Sequence, residues 1–339
     1  MDFDALLKQL QDWTNKVPLI ILGSGASVPF GLPSMWKLGE HLKNTLSFDN
    51  DTDNAQLETF KKSLDENGDL EKTLLGIQLN NNVLNAIIKA TWNLISEDDL
   101  KAYEQFVTNG KEFPLVELMK YLLSTTNRKI SVVTTNYDRI AEYSASTAEA
   151  FICTGYAQNY IGHFSDNIHT NALATIKGYS GQANIWKVHG SLDWFETIEK
   201  ENVHLPLRQE IPQNFKPLIV TPGLSKYAET HNEPYRTIFA QADNEIQSAN
   251  GYLCIGYGFN DVHVQPKLIQ QIKTKPIIVI TKELTPKTKE AIIDGGCKNY
   301  ILMEEFEVSN TKIYSSSQGE HIIENMSYWD LAEYLKLIE

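Results

Sequence analysis

The chain has 339 residues, enough for roughly two domains of ordinary size or for one large α/β domain with insertions. At 42% hydrophobic and 22% charged residues its composition is globular, which excludes disorder as the general state. Forty-three acids against thirty Lys plus Arg leave a formal charge of -13 and a pI near 5.1, a field of the wrong sign for gripping nucleic acid or anionic lipid.

Phe3, Leu6, Leu7, Leu10 and Trp13 stand at helical spacing, so an amphipathic helix is expected to open the sequence. The start, MDFDALLKQL, is acidic and amphipathic, unlike a secretory signal. VPLIIL (17–22) is a continuous apolar run of strand length that breaks into Gly23-Ser24-Gly25-Ala26-Ser27. Such a run suits a parallel strand buried on both faces. A helix through Trp36, Leu38 and Leu42 follows Pro33-Ser34, and strand, glycine loop and helix together open a nucleotide-binding α/β unit.

From about 45 to 126 the pattern is helical, broken at Asn67-Gly68-Asp69 and Asn80-Asn81-Asn82, and reads as an insertion. KISVVTT (129–135) resumes the sheet and runs into Asn136-Tyr137-Asp138 and a helix from Arg139. Residues 150–183 read as loops with short strands; NIWKVHG (184–190) and KPLIVTP (216–222) are the next strand candidates. A helix near 235–249 leads into GYLCIGYG (251–258), and KPIIVIT (275–281) follows a further helix after Asn260-Asp261. Strands rich in Ile and Val alternating with helices predict an α/β fold: a Rossmann-like, doubly wound, mostly parallel sheet with a helical insertion. One domain is expected over 1–285, with a C-terminal extension over 286–339. Tyr328, Trp329, Leu331, Tyr334 and Leu335 form an amphipathic pattern there, suited either to core docking or to an interface.

No stretch reaches the ~18 apolar residues of a membrane span, so a soluble, cytoplasmic protein without membrane contact is expected. Cys153, Cys254 and Cys297 are far apart and form no CxxC pair, and the eight histidines show no metal-ligand spacing. No metal is expected.

Four short motifs stand at predicted strand ends, where open α/β sheets place their ligands. Small residues in Gly23-Ser24-Gly25-Ala26-Ser27 let backbone N–H groups approach a diphosphate, or simply make a tight turn. Val28 replaces the third glycine of GxGxxG and no Gly-Lys-Ser/Thr follows, which disfavours hydride-transfer and Walker-type sites. Asn136 and Asp138 offer donors and acceptors without a metal; the alternative is an Asx turn capping a helix. His189, with Gly190 behind it, can enter a cleft as a general base, or be a structural histidine. Gly256-Tyr257-Gly258-Phe259-Asn260-Asp261 can hold a second phosphate or ribose, or serve close packing.

The ordered set GSGAS, TTNYD, VHGS and GYGFND resembles the sirtuin family, particularly the divergent bacterial sirtuin-like NAD hydrolases of anti-phage defence, over roughly residues 17–285. The resemblance implies that Gly23, Ser24, Gly25, Ala26 and Ser27 line the NAD diphosphate and that Asn136 and His189 are catalytic. It also implies that Asp138 contacts the nicotinamide end and that Gly256, Gly258 and Asp261 belong to a second nucleotide-facing loop. The four-cysteine zinc module of protein-deacetylating sirtuins has no counterpart here, which favours cleavage of NAD, as substrate, over deacylation. A deacylase or ADP-ribosyltransferase, and a non-catalytic NAD or ADP-ribose-binding module, are the alternatives. Expected partners are a second copy of the chain in a homo-oligomer and an activating ATPase of the HerA type or a phage component; direct nucleic-acid binding is not expected.

Overall fold

All four side chains of the strand Leu19–Leu22 are buried. Ile20 and Leu22 enter the hydrophobic cluster on one face of a sheet, while Leu19 and Ile21 enter the cluster on the other. Successive side chains on a strand point to opposite faces, so a strand covered on both sides must be apolar throughout. Leu253 and Ile255 against Tyr252 and Cys254 repeat this division, as do Ile278 and Ile280 against Ile277 and Val279.

The computed structural model describes residues 2–68, 70–157, 159–166, 170, 172, 177–220, 232–261 and 264–338. In chain order the strands are β1 (Leu19–Leu22), β2 (Lys129–Thr134), β3 (Ala150–Cys153), β4 (Gly162–His163), β5 (Gly181–Lys187), β6 (Gly190–Glu196) and β7 (Asn202–His204). They continue with β8 (Lys216–Ile219), β9 (Tyr252–Ile255), β10 (Ile277–Thr281), β11 (Tyr300–Phe306), β12 (Asn310–Ser315) and β13 (Gly319–Ile323). The main sheet has the order β13-β12-β11-β10-β9-β1-β2-β5-β3. Every pairing from β11 to β3 is parallel; the pairings of β12 with β11 and with β13 are antiparallel. With helices on both faces this is the doubly wound α/β sheet that the alternation of elements predicts.

A second sheet, β4-β7-β6-β8, is antiparallel. The KPLIVTP run supplies β8 to this sheet and not to the parallel one. No helix lies between β6 and β8 in the chain, and a parallel partner needs a crossover.

Helix α1 (Phe3–Thr14) buries Leu6 and Leu10, as its spacing predicts. Helix α2 (Met35–Thr45) starts at a Ser34 cap. The expected helical stretch holds α3 (Asp51–Asn67), α4 (Leu70–Gly76), the long α5 (Asn81–Asn109) and α6 (Pro114–Leu123). All of these join the cluster on the Ile20 face. Then come α7 (Ile140–Thr147), α8 (Tyr235–Ser248), α9 (Gln265–Ile272), the short α10 (Pro286–Lys289) and α11 (Leu331–Ile338).

Residues 286–339 add β11, β12 and β13 to the main sheet and return through α11 to the first helix. Tyr334 Oη lies 2.6 Å from Thr14 Oγ1, both buried, and Gln11 Nε2 donates to the Leu337 carbonyl at 3.2 Å. Tyr334, Leu335, Leu337 and Ile338 are all buried, so the apolar face of α11 is spent on docking within the chain.

Candidate functional site

Strands β9, β1, β2 and β5 are consecutive neighbours in the sheet and run parallel. Their carboxyl ends therefore lie side by side, and each carries one of the four motifs. From β1 the chain moves to β2 on one side, and β9 later fills the other side, so the order of the sheet reverses beside β1. Ligands of open α/β sheets bind at such reversals. One cleft is open there. Gly23, Ser24 and Ser27 line it from the first motif and Asn136 and Asp138 from the second; His189 comes from the third, and Gly256, Gly258 and Asp261 from the fourth.

Gly25 and Ala26 are not part of that lining. They face the other glycine turn. A β-carbon on Gly25 would lie 2.8 Å from Gly256 Cα, and one on Gly23 would lie 2.3 Å from Gly256 O. The Gly25 amide donates to Gly256 O at 3.1 Å, those of Ala26 and Ser27 turn back to Gly23 O and Ser24 O, and that of Gly23 reaches Ile255 O. Four amides of GSGAS are thus committed to backbone carbonyls, and Gly23, Ser24 and Ser27 are the members of the motif that line the cleft. Gly256, at φ +57°, has no room for a side chain: a β-carbon would lie 2.4 Å from Ala26 N. Gly256→Ala is expected to lower stability by more than the ~1–3 kcal/mol of left-handed backbone strain alone, because the backbone of the opposite turn must also move. Urea unfolding checks this; an unchanged midpoint would show that the two turns can separate freely.

Asn136 ties two strand ends together. Its Nδ2 donates to Gly23 O at 2.9 Å and to Ser27 Oγ at 3.1 Å. Thr134 Oγ1 receives the Asn136 amide at 3.1 Å and itself donates to Leu22 O at 2.9 Å. A carbonyl can only accept, so the amide group of Asn136 must face Gly23, which leaves Oδ1 as the acceptor available to a ligand. Asp138 Oδ1 accepts from Ile140 N at 3.2 Å, an Asx turn just ahead of α7, whose N-cap is Arg139, while the residue still lines the cleft. Burial pushes its carboxyl above the usual range, with Asp99 adding to the shift and Lys187 and the Ser27 hydroxyl opposing it.

His189 follows the end of β5 and is 6% exposed. Its carbonyl accepts from Val220 N at 2.8 Å. Gly190, at φ +84°, passes so near Leu218 that a β-carbon would lie 1.9 Å from its carbonyl oxygen, which is why glycine stands there. His189 Nε2 lies 2.9 Å from Asp261 Oδ2. Nε2 makes no hydrogen bond within the described residues.

Beneath the cleft lie charged groups that no short motif announces. Asp99 of α5 is fully buried; its Oδ2 accepts from Arg139 Nη2 and Tyr143 Oη, each at 2.6 Å, and its Oδ1 from Arg139 N at 2.7 Å. Lys187, also fully buried, donates to the Asp138 carbonyl and lies 3.1 Å from Glu142 Oε1. Burial pushes the Glu142 carboxyl up to about 7 despite that ammonium. Glu71, from α4, also lines the cleft. Nothing local in the sequence marks Glu71 or Asp99: each is one acid among many on polar helical stretches, brought to the site by long-range packing. Tyr257 and Asn260 line it too, and these do lie within a motif.

Residues 130–276 match the SIR2-like domain family. The matched segment holds TTNYD, VHGS and GYGFND and leaves the first glycine turn outside. No curated protein matches the chain. Among solved structures, one of a Sir2 enzyme studied for its mechanism and regulation is 12% identical, covers 85% of this chain and 90% of its own, and gives a TM-score of 0.44. A Sir2 homologue in complex with NAD is 15% identical, with 89% and 88% covered and a TM-score of 0.41. A Sir2 bound to the inhibitor EX-527, 2′-O-acetyl-ADP-ribose and a deacetylated p53 peptide is 13% identical, with 98% and 100% covered and a TM-score of 0.42. Among the described residues no group of three or more His, Cys, Asp or Glu could hold a metal ion, and Cys153, Cys254 and Cys297 are separate buried thiols. No described helix is long and apolar enough to cross a membrane.

Proposed function

We propose that this chain is an NAD glycohydrolase, cleaving the bond between nicotinamide and ribose to release ADP-ribose. The observation that carries the reading is the meeting of Asn136 and His189, from two different strand ends, in one cleft with Asp138 and both glycine turns. The cationic pyridinium leaves as neutral nicotinamide, so no general acid is needed, and positive charge builds on the ribose as in glycoside hydrolysis. A cleft lined by the carboxyl groups of Glu71, Asp138 and Asp261, with no Lys or Arg among its described lining residues, favours such charge.

In this reading the free Oδ1 of Asn136 accepts from a ribose hydroxyl or from the attacking water and fixes its direction. His189 takes up the proton that the oxygen loses. Asp138, which lines the cleft beside Asn136, meets the carboxamide of the leaving group and accepts from its NH₂. Nicotinamide release from NAD by the purified chain, with and without the candidate partners, tests the proposal, and mass spectrometry of the second product separates the reactions. Free ADP-ribose indicates hydrolysis, acylated ADP-ribose a deacylase, protein-linked ADP-ribose a transferase, and binding without turnover a module.

Asn136→Ala is expected to reduce turnover about 10²-fold or more, since it removes both the acceptor and the tie between the first two strand ends. Wild-type turnover in that variant would exclude the assigned role.

The reading extends to a regulated, NAD-depleting effector of anti-phage defence, because an enzyme that destroys a central cofactor must be held inactive until needed. The homo-oligomer, and the ATPase or phage-derived activator implied by the resemblance, belong to the same proposal. Cellular NAD followed through phage infection, with and without the Asn136→Ala change, tests it; equal NAD in both would sink it.

A further inference from the structure

Among the groups of the cleft, the carboxylate of Asp261 stands out because both of its oxygens have definite neighbours. Oδ1 accepts from Val264 N at 2.9 Å, and the Asp261 carbonyl accepts from Gln265 N at 3.2 Å, so the residue is anchored at the start of α9. Oδ2 lies 2.9 Å from His189 Nε2, and the two side chains are 6% and 7% exposed. His189 is anchored from its own side by the bond to Val220 and by the close approach at Gly190. One nitrogen of the imidazole is thus held against a carboxylate, in a place that water does not reach.

We infer that Asp261 is a positioning residue: it keeps the proton of the neutral His189 ring on Nε2 and leaves Nδ1 as the base that faces the substrate. A buried N–H must find an acceptor, and Asp261 Oδ2 is the acceptor in reach. The two atoms are already at hydrogen-bonding distance, and catalytic hydrogen bonds often align only when substrate arrives. The base role rests on the hydrolase reading; the tautomer does not. In the reaction, a lone pair of the water oxygen forms the new bond to the anomeric carbon. The carbon–nitrogen bond breaks with its electron pair leaving on nicotinamide, and the proton lost by the water goes to Nδ1. Asp261 balances the imidazolium until that proton passes to solvent. The resemblance implies that Asp261 belongs to a nucleotide-facing loop; within that loop its Oδ2 stands against the histidine.

Asp261→Asn is the informative change. Its carbonyl must keep the acceptor position opposite Val264 N, so its NH₂ replaces Oδ2 and donates to Nε2. The ring proton then moves to Nδ1 and the base is lost. Nitrogen-15 spectra of histidine-labelled protein, with His189 assigned from its loss in His189→Gln, read the tautomer directly. We expect Nε2–H in the wild type and Nδ1–H in Asp261→Asn, with kcat down about 10²-fold or more, KM for NAD and affinity for ADP-ribose within about threefold, and partial recovery of kcat in Asp261→Glu. An Nδ1–H tautomer in the wild type, or the same tautomer in both proteins, overturns the inference. So does a raised KM with kcat intact, which would return Asp261 to the nucleotide. A wild type that releases no nicotinamide, either alone or with the candidate ATPase or phage-derived activator, refutes the hydrolase reading and leaves the spectra to decide the tautomer.

Discussion

His189→Ala is expected to lower nicotinamide release by about 10²–10⁴-fold, the usual contribution of a general base, while the protein stays folded and still binds ADP-ribose. The backbone features that place this residue do not depend on its side chain: the Val220 bond to its carbonyl and the turn at Gly190 survive the change. What is lost is the group facing Asp261, whose other oxygen keeps the Val264 amide. The stability cost should therefore be modest, on the order of 1–3 kcal/mol for a buried carboxylate that loses a neighbour. Nicotinamide release measured by chromatography, beside a thermal melt and an ADP-ribose titration, separates chemistry from folding. Turnover near that of the wild type, in a folded protein, would remove His189 from the reaction.

The main sheet is legible in the sequence because a strand buried on both faces has no freedom: β1, β9 and the buried positions of β10 must be apolar, and each run stands between turn residues. The four motif loops are legible for a related reason, since a strand end beside a ligand crevice is where glycine, asparagine and histidine are tolerated. What hides is what depends on distant partners. Gly25 stands in a phosphate-type glycine turn, and nothing local shows that its backbone also packs against that of Gly256. Asp261 reads as a nucleotide contact, and only the sheet order brings it to His189. The apolar KPLIVTP run resembles a parallel strand, but the absence of a crossover helix sends it to the second sheet. The place of residues 300–323 is also hidden. β13 at the sheet edge is largely exposed and lacks the apolar continuity by which the inner strands announce themselves.

Asp99→Ala should be the most destabilising single change near the cleft, by about 3–5 kcal/mol, because it leaves the Arg139 guanidinium buried without its counter-charge. Three groups lose their acceptor at once: the Arg139 side chain, the Arg139 amide and the Tyr143 hydroxyl. Asp99→Asn keeps an acceptor for the amide and should fall between the wild type and the alanine variant in urea unfolding. A double replacement, Asp99→Leu with Arg139→Met, distinguishes two sources of the loss. Removing both charges together removes the desolvation penalty, and such swaps are often neutral or stabilising. If the double variant regains most of the stability, the penalty in Asp99→Ala is electrostatic; if it stays as weak as the single variant, the loss is one of packing. Recovered stability need not restore the site. Arg139 directly follows Asp138, and the bond from its amide to Asp99 Oδ1 fixes the backbone on which Asn136 and Asp138 are carried. The double variant is therefore expected to fold like the wild type while cleaving NAD at least about tenfold more slowly, since small misplacements at a reacting centre cost heavily. Wild-type turnover in a stable double variant would show that the long helix α5 holds up the fold and contributes nothing to the geometry of the cleft.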